Sequence, residues 1–388
     1  MTSKIKTPKI INVISGKGGT GKTLLTAVIA AIISEQTDKK VLVVDLDIFV
    51  RGLSTMHYYE NGGALSIIPN EKLSVTDFFY PSKCNIPFTA DMLGIQSYIF
   101  PFHNKPFDIL PAVKSIDETY EFQETMPSDI EQACATINQL ISLLRETEYD
   151  FIFLDNRAGY DELVAAAYFH SDFSICVEED DHISRLASHS VNGQLSRAYS
   201  EYFLKKNAFS PTKCPAIYII RNKVRNFSNT YNSEHQDEIY FLGGIPFDAD
   251  VMHNFGSPVF WNYIFNTMYR TSLGAVWENL ATKAKLDTHL PEHESSSKEN
   301  NNRFDKSLQF FTSTQRTFYT FSLLFLLLSV SFMILGKLQG PDIPKIYDYL
   351  TLASAGLGVI ISLLTPLNIS ALFSRNKKDK VKKDSSSN

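Results

Sequence analysis

Cysteine is scarce in this 388-residue chain: the four present, Cys84, Cys134, Cys176 and Cys214, are scattered with no C-x-x-C pair. That spacing excludes a disulfide scaffold and argues against a zinc or iron–sulfur site, so the four read as reduced thiols in a cytosolic compartment. A basic excess is missing over most of the chain. Residues 1–302 hold 26 Lys and Arg against 37 Asp and Glu, a balance of −11. So acidic a body is a poor nucleic-acid coat, because phosphate binding is dominated by Lys and Arg. No signal peptide is expected, since Met1–Lys9 is polar and runs straight into an apolar strand. Internal repeats are absent too. Only residues 303–388 reverse the charge, with 11 basic against 5 acidic side chains, a balance of +6 that brings the total to −5.

What is present is a succession of short apolar runs. Ile10–Ser15 breaks into glycines, and Leu24–Ser34 follows as an apolar helix. Val41–Asp45 (VLVVD) has the unbroken apolar character of a central parallel strand buried on both faces. Phe107–Leu110, Phe151–Asp155, Phe173–Val177, Ala216–Arg221 and Tyr240–Pro246 share that style. Helical patterns over Asp129–Glu146, Asp161–His170, Ile183–Leu204 and Tyr263–Leu286 separate most of them. Alternation of this kind predicts an α/β fold with a doubly wound, mostly parallel sheet. Residues 287–302 (DTHLPEHESSSKENNN) are polar and read as a linker, so residues 1–286 form the expected main domain. The segment Tyr58–Phe102 is long and aromatic, a candidate partner surface. The acidic run Glu178-Glu179-Asp180-Asp181 reads as solvated charge.

Gly16-Lys17-Gly18-Gly19-Thr20-Gly21-Lys22-Thr23 satisfies G-x-x-x-x-G-K-[ST] between a strand and a helix, the context a phosphate-binding loop requires. Its glycines let backbone N–H groups turn inward around an anion, and the helix N-terminus adds partial positive charge. Lys22 would reach the β- and γ-phosphates of ATP, and Thr23 would ligate Mg2+. Asp45 and Asp47 follow VLVVD, and Asp155 ends FIFLD. In such sheets ligands bind beyond the carboxyl ends of the strands, so all three would face the phosphates. Asp155 would act on Mg2+ through its water shell. Asp45 is a further candidate at the metal, and Asp45 or Asp47 would hold the attacking water.

These residues resemble the MinD/ParA family of P-loop ATPases. ISGKGGTGKT is similar to its deviant Walker A box, KGGxGK[ST], whose extra lysine, here Lys17, crosses an ATP-bound dimer to the partner's phosphates. DLDIFVRGL, residues 45–53, resembles the D-x-D-I-x-x-R-x-L stretch of the MinD branch, and DNRAG, residues 155–159, resembles the Walker B D-x-P-A-G. Arg157 departs from that pattern by standing where the family has proline. IIRNK, residues 219–223, resembles the strand that reads adenine and nominates Asn222. GGIPFDADV and GSPV, residues 243–251 and 256–259, are similar to the closing strand and loop and would set Pro246 and Phe247 against the base. The resemblance spans about residues 8–285. It implies an ATP- and Mg2+-dependent homodimer with slow, partner-stimulated hydrolysis.

Near the C-terminus two stretches carry no charge at all. Thr317–Leu335 has 19 residues and Tyr349–Phe373 has 25, about 28 and 37 Å as helices, long enough to span a bilayer. The 13-residue loop Gly336–Asp348 would join them as a hairpin over residues 317–373. Before it, residues 303–316 are basic and partly aromatic and close the juxtamembrane stretch 287–316; after it, residues 374–388 form a basic tail. Basic flanks on both outer sides place the domain and the tail in the cytoplasm, at the inner membrane. The expected protein is a membrane-anchored ATPase that positions, recruits or gates an unidentified partner complex. A nucleotide-regulated sensor or effector with little turnover, a tyrosine kinase and a DNA-partition ATPase remain open alternatives. The kinase reading is weakened by a tail without tyrosine, and the DNA reading by the acidic body.

Overall fold

The computed structural model describes residues 7–60, 67–98, 107–117, 127, 129–205, 214–224, 239–257, 260–264, 267–288 and 290. The chain divides into Met1–Pro291 and Glu292–Asn388, and every described residue lies in the first part. Among these residues no helix is long and apolar enough to cross a membrane. The runs Thr317–Leu335 and Tyr349–Phe373 and the basic tail lie outside the described residues, as does most of the linker. Packing continues past Leu286: Thr288 is buried and Leu290 rests on the core.

The described strands are β1 (Lys9–Ile14), β2 (Val41–Asp45), β3 (Gln96–Tyr98), β4 (Phe107–Leu110), β5 (Phe151–Asp155), β6 (Phe173–Glu179), β7 (Ala216–Val224) and β8 (Ile239–Pro246). They form one sheet in the order β3-β4-β2-β5-β1-β6-β7-β8. Every pairing is parallel except that of β3 with β4 at the edge. Side chains alternate between two apolar cores, as a strand period of two requires. On β5, Phe151 and Phe153 enter one core while Ile152 and Leu154 enter the other. Both faces are covered, which is why the parallel strands read as unbroken apolar runs.

Helix α1 (Lys22–Gln36) covers one face together with α2 (Gly52–Glu60), α6 (Ala249–Asn254), α7 (Phe260–Ile264) and α8 (Met268–Lys283). The other face takes α3 (Ile130–Arg145), α4 (Glu162–Phe169) and α5 (His182–Lys205). The single helix expected over Tyr263–Leu286 is instead two. The first ends at Ile264 and Thr267 caps the second, its hydroxyl accepting from the Arg270 amide. The antiparallel β3, and the short α2 and α6, carry no periodic signal.

Part of the aromatic segment serves the core, while Tyr59 is exposed. In its described part, Phe78, Phe79, Tyr80 and Tyr98 are buried. Tyr98 stacks on Phe107 at 5.0 Å and its hydroxyl accepts from Trp261 Nε1 at 2.8 Å. These four rings belong to the two cores.

Candidate functional site

β1 lies between β5 and β6, while the chain leaving β1 crosses over β5 to enter β2. The strand order therefore reverses at β1, the place where such sheets open a crevice at their carboxyl ends. Ser15–Gly21 fills that point and leads into α1. Two glycines are sterically required there. A Cβ on Gly16 would lie 2.2 Å from the Ser188 amide of α5, and one on Gly21 would lie 2.5 Å from Asn222 Nδ2. Gly21 also has φ +89°, in the left-handed region. Gly18 and Gly19 are exposed, whereas Thr20 and Lys22 are buried, with Lys22 opening the helix and Thr23 one residue on.

Asp45 and Asp155 end neighbouring strands and pair across them in register. Both are fully buried. Asp45 Oδ2 accepts from the Ser54 amide (2.8 Å) and hydroxyl (2.7 Å), and Ser54 Oγ accepts from the Ala112 amide at 2.9 Å. That chain of bonds fixes one carboxylate oxygen. The other, Asp45 Oδ1, and Asp155 Oδ2 are buried with no hydrogen-bond partner among the described residues. Burial, then the Asp155 charge, pushes the Asp45 carboxyl up to about 7. Burial likewise pushes Asp155 up to about 6, although Lys22, Thr23 and Thr26 favour its ionised form. Two repelling carboxylates with unsatisfied oxygens, beside a threonine hydroxyl, suit a hard dication such as Mg2+. Asp47 sits just outside, half-buried, with Oδ1 accepting from the Val50 amide at 3.2 Å.

Lys17 is not free in its own subunit. Its ammonium lies 2.7 Å from Glu179 and 3.0 Å from Asp181, which hold its pKa above the usual lysine value. Asp181 also accepts from the Ser184 amide at the start of α5, and that bond, with Lys17, draws its carboxyl down to about 2. Lys223 joins the cluster, donating to Glu179 and to the Gly19 carbonyl. Its φ of +59° is uncommon for a side chain with a Cβ. Glu178 pairs with Arg221 at 2.7 Å. Three of the four acidic residues are thus partners for Lys17 of the loop and for Arg221 and Lys223 of β7, while Asp180 is exposed as the composition suggests. Lys223, Glu179, Asp181 and Ser54 escaped sequence reasoning, although RNK and EEDD lay beside residues already singled out.

Asn222 lies beneath the loop, fully buried, donating to the Thr20 carbonyl at 2.8 Å and accepting from the Lys223 amide. In this conformation it braces the phosphate loop. Pro246 ends β8 beside Val224, and Phe247, whose amide donates to the Val224 carbonyl at 3.0 Å, is exposed. Residues 258–259 of the closing loop lie outside the described residues.

With this geometry in hand, residues 8–188 match the model of the AAA domain family. The septum site-determining protein MinD of Buchnera aphidicola subsp. Schizaphis graminum is 32% identical over 167 residues, 43% of this chain and 51% of that protein. The MinD of Buchnera aphidicola subsp. Baizongia pistaciae is 26% identical over 265 residues, 66% of this chain and 86% of that protein. A putative plasmid partition protein from Borrelia burgdorferi, solved bound to AMPPNP, shares the fold of this domain with a TM-score of 0.51. It is 20% identical and covers 71% of this chain and 99% of its own. The first of the curated MinD relatives is matched over about half its length.

Proposed function

We propose that this chain is a membrane-anchored, MinD-like ATPase that binds ATP with Mg2+, dimerises in its ATP-bound form and hydrolyses ATP to position, recruit or gate a partner complex. The observation carrying the reading is the convergence of Lys22, Asp45 and Asp155 on one glycine loop, with buried carboxylate oxygens left unpartnered. The AMPPNP-bound Borrelia protein of the same fold supports a nucleoside triphosphate as ligand.

Loop amides and the N-terminus of α1 would bind the phosphates, and Lys22 would neutralise the β- and γ-oxygens. Thr23, Asp45 and Asp155 would hold Mg2+, which when bound supplies charge that offsets the transferring phosphoryl. Asp47 would hold the attacking water, with the fixed Asp45 carboxylate as the alternative holder. Phe247 offers a ring to the base, and Asn222 acts from beneath by keeping the loop in shape. Lys17 would serve a second subunit's phosphates, as the deviant Walker A resemblance implies. It must first leave Glu179 and Asp181, so those ion pairs set a threshold for dimerisation. The uncharged runs 317–335 and 349–373 support anchoring in the inner membrane, with the domain and tail in the cytoplasm. A permanently anchored ATPase cannot cycle on and off the bilayer, so its switch would act through dimerisation or partner recruitment.

The test uses the detergent-solubilised full chain, with phosphate release and sedimentation measured in ATP and in ADP. Lys22→Ala should abolish nucleotide binding, and Lys17→Ala should keep binding while losing the ATP-dependent dimer. Turnover and mass equal to wild type in both variants would end this reading.

A further inference from the structure

Arg157 stands at the turn after β5, beside the phosphate loop, and the geometry points to a positioning role for it in hydrolysis: it clamps the loop that carries Asp47 to the turn that carries Asp155, by way of the Phe49 ring. The inference rests on the ATPase reading above.

β2 and β5 run side by side until Asp45 and Asp155. One further bond, from the Leu46 amide to the Asp155 carbonyl at 3.0 Å, follows before the two segments separate. The turn after β5 is tied to β1 and its loop by two backbone bonds, Asn156 amide to Val13 carbonyl (3.2 Å) and Gly159 amide to Ser15 carbonyl (2.8 Å). It is therefore a platform continuous with the phosphate loop. The loop after β2 is held differently. Ile48 is buried, yet Phe49 is 40% and Val50 73% exposed. Within it, the Val50 amide donates to Asp47 Oδ1, the Arg51 amide to the Asp47 carbonyl (2.7 Å), and Arg51 Nε to the Ile48 carbonyl (3.1 Å).

Across the gap, the Arg157 guanidinium carbon sits 4.7 Å from the Phe49 ring centroid, within cation–π range. The guanidinium is aimed by Asp161, whose Oδ2 lies 3.1 Å from Arg157 Nη1. Asp161 is itself anchored, because its Oδ1 accepts from the Val164 amide at 2.8 Å as the N-cap of α4. The result is a chain from the start of α4 through Asp161, Arg157 and Phe49 to Asp47. A proline at position 157 could supply no such link. Because small displacements of a reacting group cost large factors in rate, the clamp acts on turnover while leaving the phosphate loop untouched.

The experiment compares wild type with Arg157→Ala, Phe49→Ala, the double variant and Asp161→Asn in the full chain. Asparagine still accepts from Val164 but gives up the ion pair, which guards against simple loss of α4. Three quantities are read: kcat and KM for ATP, affinity for a fluorescent ATP analogue, and amide hydrogen exchange at Val50 and Arg51. Arg157→Ala and Phe49→Ala should each lower kcat about 5- to 30-fold. Each should leave KM and analogue affinity within about twofold and accelerate exchange at both amides. The double variant should be no worse than either single one, and Asp161→Asn should shift the same quantities less. Unchanged exchange in Arg157→Ala, or kcat losses that multiply in the double variant, would overturn the clamp. So would recovered turnover on mixing Arg157→Ala with Lys22→Ala chains, which would assign Arg157 to a partner's phosphates. If wild type hydrolyses no ATP but exchange responds as described, the ATPase reading fails while the mechanical link stands.

Discussion

Two acidic clusters stand within the same end of the sheet, and they are built in opposite ways. Asp45 and Asp155 lie fully buried, each with an oxygen that no described residue satisfies, and their carboxyls are pushed up to about 7 and 6 by burial. Glu178, Glu179 and Asp181 are bound to Arg221, Lys17 and Lys223, and Asp181 is drawn down to about 2. The same chemical group is held ready for a cation in one cluster and already neutralised in the other. An unpaired buried charge is a cost that folding alone has no reason to carry, so the first cluster reports function. A paired one reports how Lys17 of the loop is kept until a competing anion arrives.

The comparison can be broken first at its buried half. Asp155→Asn should lower ATP hydrolysis by about 10²- to 10³-fold, comparable to removing one preorganised charge-stabilising group, while phosphate release by an Asp181→Asn chain stays close to wild type.

The second prediction concerns pH. The folded values of Asp45 and Asp155 exceed the ordinary carboxylate value near 4. Ionising them therefore destabilises the fold: the cost is absent below about pH 4 and grows as pH rises through 6 and 7. Without Mg2+, the melting temperature at pH 8 should fall several degrees below that at pH 5, and Asp45→Asn should reduce the difference. Added Mg2+–nucleotide should reverse it at pH 8. A metal-free melting temperature flat from pH 5 to 8 would contradict the burial argument.

A smaller effect sharpens the other half. Glu179→Gln combined with Asp181→Asn frees Lys17, so the ATP-dependent dimer should tighten several-fold by sedimentation, less so at high salt because these pairs are partly exposed. Smallest of all is the remote, exposed pair Lys40–Glu148. Glu148→Gln should change neither melting temperature nor turnover measurably, which makes it the control for charge removal as such.

Much of the fold was legible because its signals are local. VLVVD and FIFLD are strands in the structure at the residues expected, since a strand covered on both faces needs an unbroken apolar run. The phosphate loop was legible because glycine spacing and a following helix are contiguous in sequence. What escaped was whatever depends on distant partners. The EEDD run looks solvated until β7 brings Arg221 and Lys223 alongside it. Tyr98 looks like a surface aromatic until Trp261, 163 positions away, donates to its hydroxyl. The place of Asn222 beneath Gly21, donating to the Thr20 carbonyl, likewise depends on bringing β7 against the loop.

The sequence by itself determined the parallel α/β domain, the phosphate loop and the three aspartates around it, because period, turn chemistry and strand-end placement are written in neighbouring residues. Tertiary structure alone decided which charges meet: that Lys17 is held by Glu179 and Asp181, that two aspartates are sealed from water with one oxygen of each left unsatisfied among the described residues, and that Arg157 lies over Phe49. Those outcomes depend on how strands far apart in the chain are set side by side, and charge–charge energies follow distance and burial, neither of which is a property of a residue's place in the sequence.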